Sequence, residues 1–158
     1  MMTRVTVAIA VLALCGAPLR AQTAPTKAST LAFDSVNAVI AALVPAKDRT
    51  NVRDITLSAA GKELRVDAEV RMSAVPGLEM FGALGFAHVT GMGPIDVIQP
   101  GLVGWQIRSI EVAGTTISAS LWNPLLRKGT KRSDNYVPFQ VGSWVKGVAV
   151  EPRGLRMF

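Results

Sequence analysis

The sequence predicts an α+β fold in which an N-terminal helix packs on a curved, twisted antiparallel β-sheet and a second short helix lies near residues 117–127. Three observations predict it. Phe33, Val36, Val39, Ile40, Leu43 and Val44 recur at steps of three and four, which places them on one face of a helix. Leu64, Val66, Ala68, Val70 and Met72 alternate with Glu63, Arg65, Asp67, Glu69 and Arg71, the pattern of a strand with one face buried and the other wet. Between residues 103 and 112 the apolar positions change phase: Val103, Trp105 and Ile107 are odd, whereas Ile110 and Val112 are even. One added residue near Arg108-Ser109 accounts for the change, so a β-bulge or strong bend is expected there.

The other elements follow in chain order. Residues 1–4 are a short basic start, residues 5–15 an apolar run, and Gly16, Ala17 and Pro18 a break, the order of a secretory signal peptide. The run is well short of the roughly 20 residues that span a bilayer. Cleavage after Ala21 makes residues 1–21 the signal peptide, 22–30 a flexible linker and 31–158 a single domain. Cys15, the only cysteine, offers a second reading: residues 12–15 approximate a bacterial lipobox, although Leu14 is larger than the residue that normally precedes a lipidated cysteine.

Pro45 ends the first helix because it lacks an amide hydrogen and clashes with the preceding turn. Ile55, Leu57 and Ala59 alternate into a turn at Ala60-Gly61. Pro76-Gly77 breaks the long strand, and residues 78–84 form a helical turn or loop that exposes Met80 and Phe81. Residues 86–90 read as a strand, with turns at 91–94 and 99–101. Ile117, Leu121 and Leu125, with Trp122 and Leu126 beside them, make the stripe of the second helix, which Pro124 starts or kinks. A basic loop follows around Gly129, and residues 145–150 and 155–158 form a closing hairpin about Pro152-Arg153-Gly154.

Composition excludes several kinds of chemistry. A chain of 158 residues suits one domain with a single core. Removing residues 1–21 takes Arg4 and Arg20 from a net charge of +6, and Cys15 with them. What remains is modestly basic and is held by its core rather than by disulfides. His88 is the only histidine, and no Gly-x-Ser-x-Gly elbow surrounds any serine, so nucleophile and base are not paired in sequence. A hydrolase would need His88 and Asp96 to meet in a cleft, and the expectation is that the chain is not an enzyme. Asp67 and Glu69, flanked by Arg65 and Arg71, read as a salt-bridged solvent face. One histidine without cysteines leaves no zinc set, and Gly82, Gly85, Gly91 and Gly93 lack phosphate-loop spacing, so no metal or cofactor is expected. Those glycines read as turns or close backbone packing.

Two groups of residues suggest binding instead. Trp105, Trp122 and Trp144, with Phe81 and Phe86, suit the lining of an apolar cavity between helices and sheet. Arg127, Lys128, Lys131 and Arg132 suit anionic lipid headgroups. Nucleic acid is not expected, because the chain reads as exported and no aromatic residues interleave with these cations.

The order of the second half carries a resemblance. A strand ends at Ile110-Glu111-Val112-Ala113-Gly114, an amphipathic segment reaches Leu125-Leu126, Val137-Pro138 follows, and the hairpin of residues 145–150 and 154–157 closes the chain. This resembles the C-terminal part of the LmeA-like family of bacterial envelope phospholipid-binding proteins, which are similar in turn to TULIP lipid-carrier domains. The resemblance implies a helix lying along a curved antiparallel sheet with acyl chains between them. It implies a non-catalytic protein, periplasmic or secreted and peripheral on the envelope membrane, that binds a lipid or another long apolar ligand. In that reading Phe33, Ile40, Phe81, Phe86, Trp105, Trp122 and Leu126 line the apolar site, while Arg127, Lys128, Lys131 and Arg132 attract an anionic head. The alternative is a structural or protein-interaction module of the envelope with a solid core and no ligand.

Overall fold

The computed structural model describes residues 28–43, 50–75 and 79–158. In chain order these form β1 (Ser29–Ala32), α1 (Phe33–Leu43), β2 (Val52–Ala60), β3 (Glu63–Arg71), β4 (Phe86–Gly93), β5 (Ile95–Gln99) and β6 (Leu102–Gln106). They continue with β7 (Ser109–Val112), β8 (Thr115–Ile117), α2 (Ala119–Thr130), β9 (Tyr136–Gln140), β10 (Val148–Glu151) and β11 (Gly154–Met157). The expectations for the signal peptide, Cys15, Pro45 and Pro76-Gly77 lie outside the described residues. Among the described residues no helix is long and apolar enough to cross a membrane.

The chain has the α+β class its patterning predicts, with every strand pairing antiparallel. The strands are shared among three sheets, ordered β2-β3-β4-β7-β8, β5-β6-β9 and β1-β11-β10. The strictly alternating strand β3 lies inside the five-stranded sheet between β2 and β4, where its two faces meet different environments. Leu64, Val66 and Val70 are buried, whereas Arg65, Asp67 and Glu69 remain partly exposed. In β2, Asp54 adopts a positive φ of 53° where two residues, Asp54 and Ile55, face one across the ladder, a bulge that twists the edge of the sheet.

The phase change in the second half marks where the chain passes from one sheet to another. Met92 pairs with Ser109 and Ile95 with Trp105, so Gly93 and Pro94 face three residues, Gln106, Ile107 and Arg108. That extra residue is the expected bulge. Hydrogen bonds from Arg108 N–H to Met92 O and from Gln106 N–H to Pro94 O, both 2.8 Å, carry the pairing across it. Strands β4–β5 and β6–β7 are therefore two arms of one bent hairpin. The turn expected at 91–94 is absent: β4 runs through Gly91 and Gly93, and the chain turns the corner at Pro94. The two glycines serve contact rather than reversal. A Cβ at 91 would lie 2.8 Å from the Trp105 ring, and one at 93 would overlap the Gln106 carbonyl oxygen.

Helix α1 covers the edge of the five-stranded sheet. Phe33 is buried and Val36 packs against the core, while the side chains of residues 39–43 lie outside the described part. Asn37 reads the backbone of β2 twice, donating to Leu57 O at 3.2 Å and accepting from Leu57 N–H at 2.7 Å. The outward amide and carbonyl of an edge strand are thereby satisfied without another strand. Strand β1 begins at Ser29, inside the span 22–30 read as a linker, because Leu31 and Ala32 pair with Leu155 and Gly154 of β11.

Helix α2 buries Trp122 and Leu126, four residues apart. Its stripe is narrower than expected, since Ile117 belongs to β8 and Leu121 is exposed. Pro124 lies inside the helix. Pro138 sits on β9, an edge strand, where its missing N–H costs no ladder bond. The closing hairpin forms as read, with β10 starting at Val148.

Candidate functional site

The polar chemistry of the described residues gathers on the outer face of β3 and β4, because cross-strand register puts Asp67 opposite Thr90 and Glu69 opposite His88. Asp67 accepts four hydrogen bonds. Arg65 donates from Nε and Nη2 at 2.7 and 2.9 Å, Thr90 Oγ1 donates at 2.6 Å, and His88 Nε2 lies at 2.9 Å. Burial opposes the negative charge, yet the hydrogen bonds from Arg65, Thr90 and His88 hold the Asp67 carboxyl down at about 2. His88 Nδ1 lies 3.2 Å from Glu69 Oε1. The bond to Asp67 outweighs the opposing effect of burial and, with the bond to Glu69, raises the His88 pKa above its ordinary value.

With a carboxylate on each ring nitrogen, the imidazole has no free nitrogen to accept a proton from a substrate, and Thr90 already donates to Asp67. Asp96 is exposed on β5 in another sheet, so the structure does not bring His88 and Asp96 together. The pattern Arg65–Glu69 is the salt-bridged solvent face that its alternation predicts. Among the described residues no group of three or more His, Cys, Asp or Glu is placed to hold a metal.

This network has a pH signature. Asp67 is depressed, so its contribution is complete above the ordinary carboxylate pKa near 3.8 and disappears as pH falls through about 2. His88 is raised, so its contribution is complete below 6.5 and is lost as pH rises through its folded value. The Asp67 side chain is only 14% exposed, and its shift corresponds to about 2 kcal/mol. His88 is half exposed, and solvent screening makes its share small. Asp67→Asn should therefore lower stability by about 1–2 kcal/mol near neutrality and flatten the acid limb of the stability profile, read by urea denaturation across pH. An unchanged acid limb would remove this network from the account.

Among the described residues, an apolar cavity of about 240 Å³ lies where α1 meets all three sheets. Leu31, Val148, Leu155 and Met157 line it from the β1-β11-β10 sheet, and Leu57 and Leu64 from the five-stranded one. Ile95, Val103 and Phe139 come from the β5-β6-β9 sheet and Val36 from α1. The segment after β9 completes the wall with Val141, Gly142 and Trp144. Ser29 supplies a hydroxyl, and none of the described lining residues is charged. Trp144 Nε1 is buried with no hydrogen-bond partner among the described residues, and a Cβ at Gly142 would overlap it.

Most aromatic residues expected at such a site are placed elsewhere. Trp105 is 1% exposed, donates from Nε1 to Gly93 O at 3.1 Å, and fills the bend of the long hairpin. Phe33, Trp122 and Leu126 are core residues outside the described cavity wall. Phe86 lies on the outer face beneath two guanidinium groups, Arg53 at 4.1 Å and Arg71 at 5.0 Å from its ring centre. The expectations for Ile40 and Phe81 fall on side chains outside the described part. Of the described residues read as apolar lining, Trp144 alone stands in the wall.

The basic residues lie apart from the cavity as well. Arg127 and Lys128 form the last turn of α2, and Lys131 caps it in the left-handed region with φ 56°. Arg132 is taken by Asp134 through bonds of 2.7 and 2.5 Å, which raise the arginine and lower the aspartate pKa. None of the four lines the described cavity. No protein-family model, curated protein or solved structure matches the chain.

Proposed function

We propose that this chain is a non-catalytic binding protein for a lipid or another apolar ligand of the bacterial cell envelope, with the ligand held between α1 and the sheets. The observation that carries the reading is the uncharged cavity of about 240 Å³. An apolar cavity of about 150 Å³ can stay dry and take up benzene, whereas pockets for drug-sized ligands run to roughly 300–1,000 Å³. The volume suits a single apolar chain, or the end of one, rather than the two chains of a diacyl lipid. Its position beside the first helix agrees with what the LmeA-like resemblance implies. Residues 1–21 support export. The headgroup role expected of the α2 cations has no geometric support at this cavity, since none of them reaches its described wall.

The test is extraction of lipids from protein purified from the periplasm, followed by mass spectrometry. The expected result is a single-chain apolar species in near-stoichiometric amount. Protein that is free of lipid and also fails to take up a fluorescent fatty acid would defeat the proposal. In that case the envelope interaction module gains ground, and Met80 and Leu84, both exposed on the short helical segment Glu79–Leu84, are the surface to examine first.

A further inference from the structure

The cations of this protein are not distributed evenly once their partners are removed from the count. On the sheets Arg53, Arg65, Arg108 and Arg156 each sit beside a carboxylate, whereas Lys62, Arg71, Lys146 and Arg153, which have no ion pair among the described residues, are scattered over separate strand ends, turns and loops. Helix α2 differs, because its sequence Ala-Ser-Leu-Trp-Asn-Pro-Leu-Leu-Arg-Lys-Gly-Thr contains no acid. Asp134, the acidic residue that follows it, is occupied by Arg132. Arg127 has only the neutral Asn135 as partner, at 3.4 Å, and Lys128 and Lys131 are exposed with no ion pair among the described residues.

These cations share a face with an apolar side chain. Trp122 and Leu126 point into the core, so the opposite side of α2 presents Leu121, Pro124 and Lys128 at spacings of three and four, with Arg127 and Lys131 beside them. Leu121 is 46% exposed, although its neighbour Trp122 is buried. A basic helical face carrying an exposed leucine matches the interfacial region of an anionic bilayer, where cations meet lipid phosphates and the apolar side chain enters the acyl boundary. None of these residues lines the described cavity.

We infer that the outer face of α2 is a docking surface for an anionic membrane, separate from the ligand cavity. The charge sets the occupant: three cations with no ion pair among the described residues favour a negative partner, and the exposed leucine favours a lipid surface over a polar polyanion. The inference stands independently of ligand binding in the cavity.

Co-sedimentation of the full chain with vesicles tests it. Neutral phosphatidylcholine vesicles are compared with vesicles containing phosphatidylglycerol. Residues 1–21, with their apolar run and the cations Arg4 and Arg20, are the same in wild type and every variant, so the readout is the change in anionic preference between them. Wild type should bind the anionic vesicles more tightly, and high salt should abolish the difference. The triple variant Arg127→Gln, Lys128→Gln, Lys131→Gln should lose about tenfold or more of the anionic preference. Leu121→Ser should weaken binding severalfold, whereas Lys62→Gln with Lys146→Gln should leave it nearly unchanged. Thermal denaturation of each variant confirms folding. No anionic preference in wild type, or full retention by the triple variant, would overturn the inference. Selective capture of an acidic protein by wild type without vesicle binding would overturn it too. Uptake of a fluorescent fatty acid in the same variants distinguishes this surface from the cavity.

Discussion

Replacing Gly93 with alanine is expected to destabilise the protein by about 3 kcal/mol or more, enough to unfold a domain of ordinary stability. The cause is contact rather than backbone conformation, since Gly93 has no positive φ. Its added methyl group would overlap the Gln106 carbonyl oxygen and come within 3.1 Å of the Arg108 amide nitrogen. Both are backbone atoms of the facing arm. They are fixed there by the Gln106-to-Pro94 and Arg108-to-Met92 hydrogen bonds that carry the hairpin around its bend. Relief of the overlap requires those bonds to lengthen, and a buried amide left without a partner costs about 1–3 kcal/mol. Gly82→Ala is the control, because a Cβ there meets nothing within 4 Å, and its effect should stay within about 0.5 kcal/mol. Urea denaturation reads both. A Gly93→Ala protein with the wild-type midpoint would mean that the bend is not rigid.

Trp105→Ala should cost a similar amount, about 3–5 kcal/mol, by opening a cavity at the same bend. Trp105 is among the largest fully buried side chains, and its indole N–H satisfies the Gly93 carbonyl at 3.1 Å. Trp105→Phe retains much of the volume and removes the donor, so its smaller loss should include about 1 kcal/mol for the unsatisfied carbonyl. Gly91 supplies an internal check. A methyl group at 91 would approach Trp105 Cη2 to 2.8 Å, and phenylalanine has no atom at that position. Gly91→Ala should therefore be markedly less destabilising in the Trp105→Phe background than in wild type, a coupling visible in a double-mutant cycle. Additive effects would show that the two positions do not touch.

These residues also show what the sequence makes legible. The bulge could be read because side-chain direction in a strand has period two, so one extra residue reverses every later position, as between Ile107 and Ile110. The same local rule found β3 and the closing hairpin, while helical spacing found α2 but centred its stripe on Ile117, Leu121 and Leu125 rather than on the buried pair Trp122 and Leu126. It could not show that Gly93 faces Gln106, since that contact depends on the register of a strand met only after folding. The solvent face of β3 was visible, but not that Thr90 and His88 of β4 would complete the shell around Asp67. Likewise Asp134 stands two residues from Arg132 in the sequence, while the two-bond geometry that neutralises this cation is a property of the folded loop.

The cavity was hardest to find for a related reason. Large aromatic residues were the natural candidates for its wall, but the strength of their burial places Trp105 and Trp122 in the packed core. The wall instead takes Leu31 and Val36 from β1 and α1 at one end of the chain and Phe139, Val148, Leu155 and Met157 from β9, β10 and β11 at the other. Those segments meet because β1 pairs with β11, a contact of high sequence separation with no local signal. Trp144 was legible as an apolar candidate, whereas its position beside Gly142 was not.

The central claim is that the cavity between α1 and the three sheets takes up an apolar chain, and a titration tests it most directly. An environment-sensitive fluorescent fatty acid is titrated into wild type and into Val148→Trp, which fills the cavity from the edge strand β10. The account predicts saturable uptake of about one probe per chain by wild type. It also predicts at least about a tenfold loss of affinity in the variant, with the urea midpoint nearly unchanged. Equal affinity in the two proteins, or no saturable uptake by wild type, would contradict it.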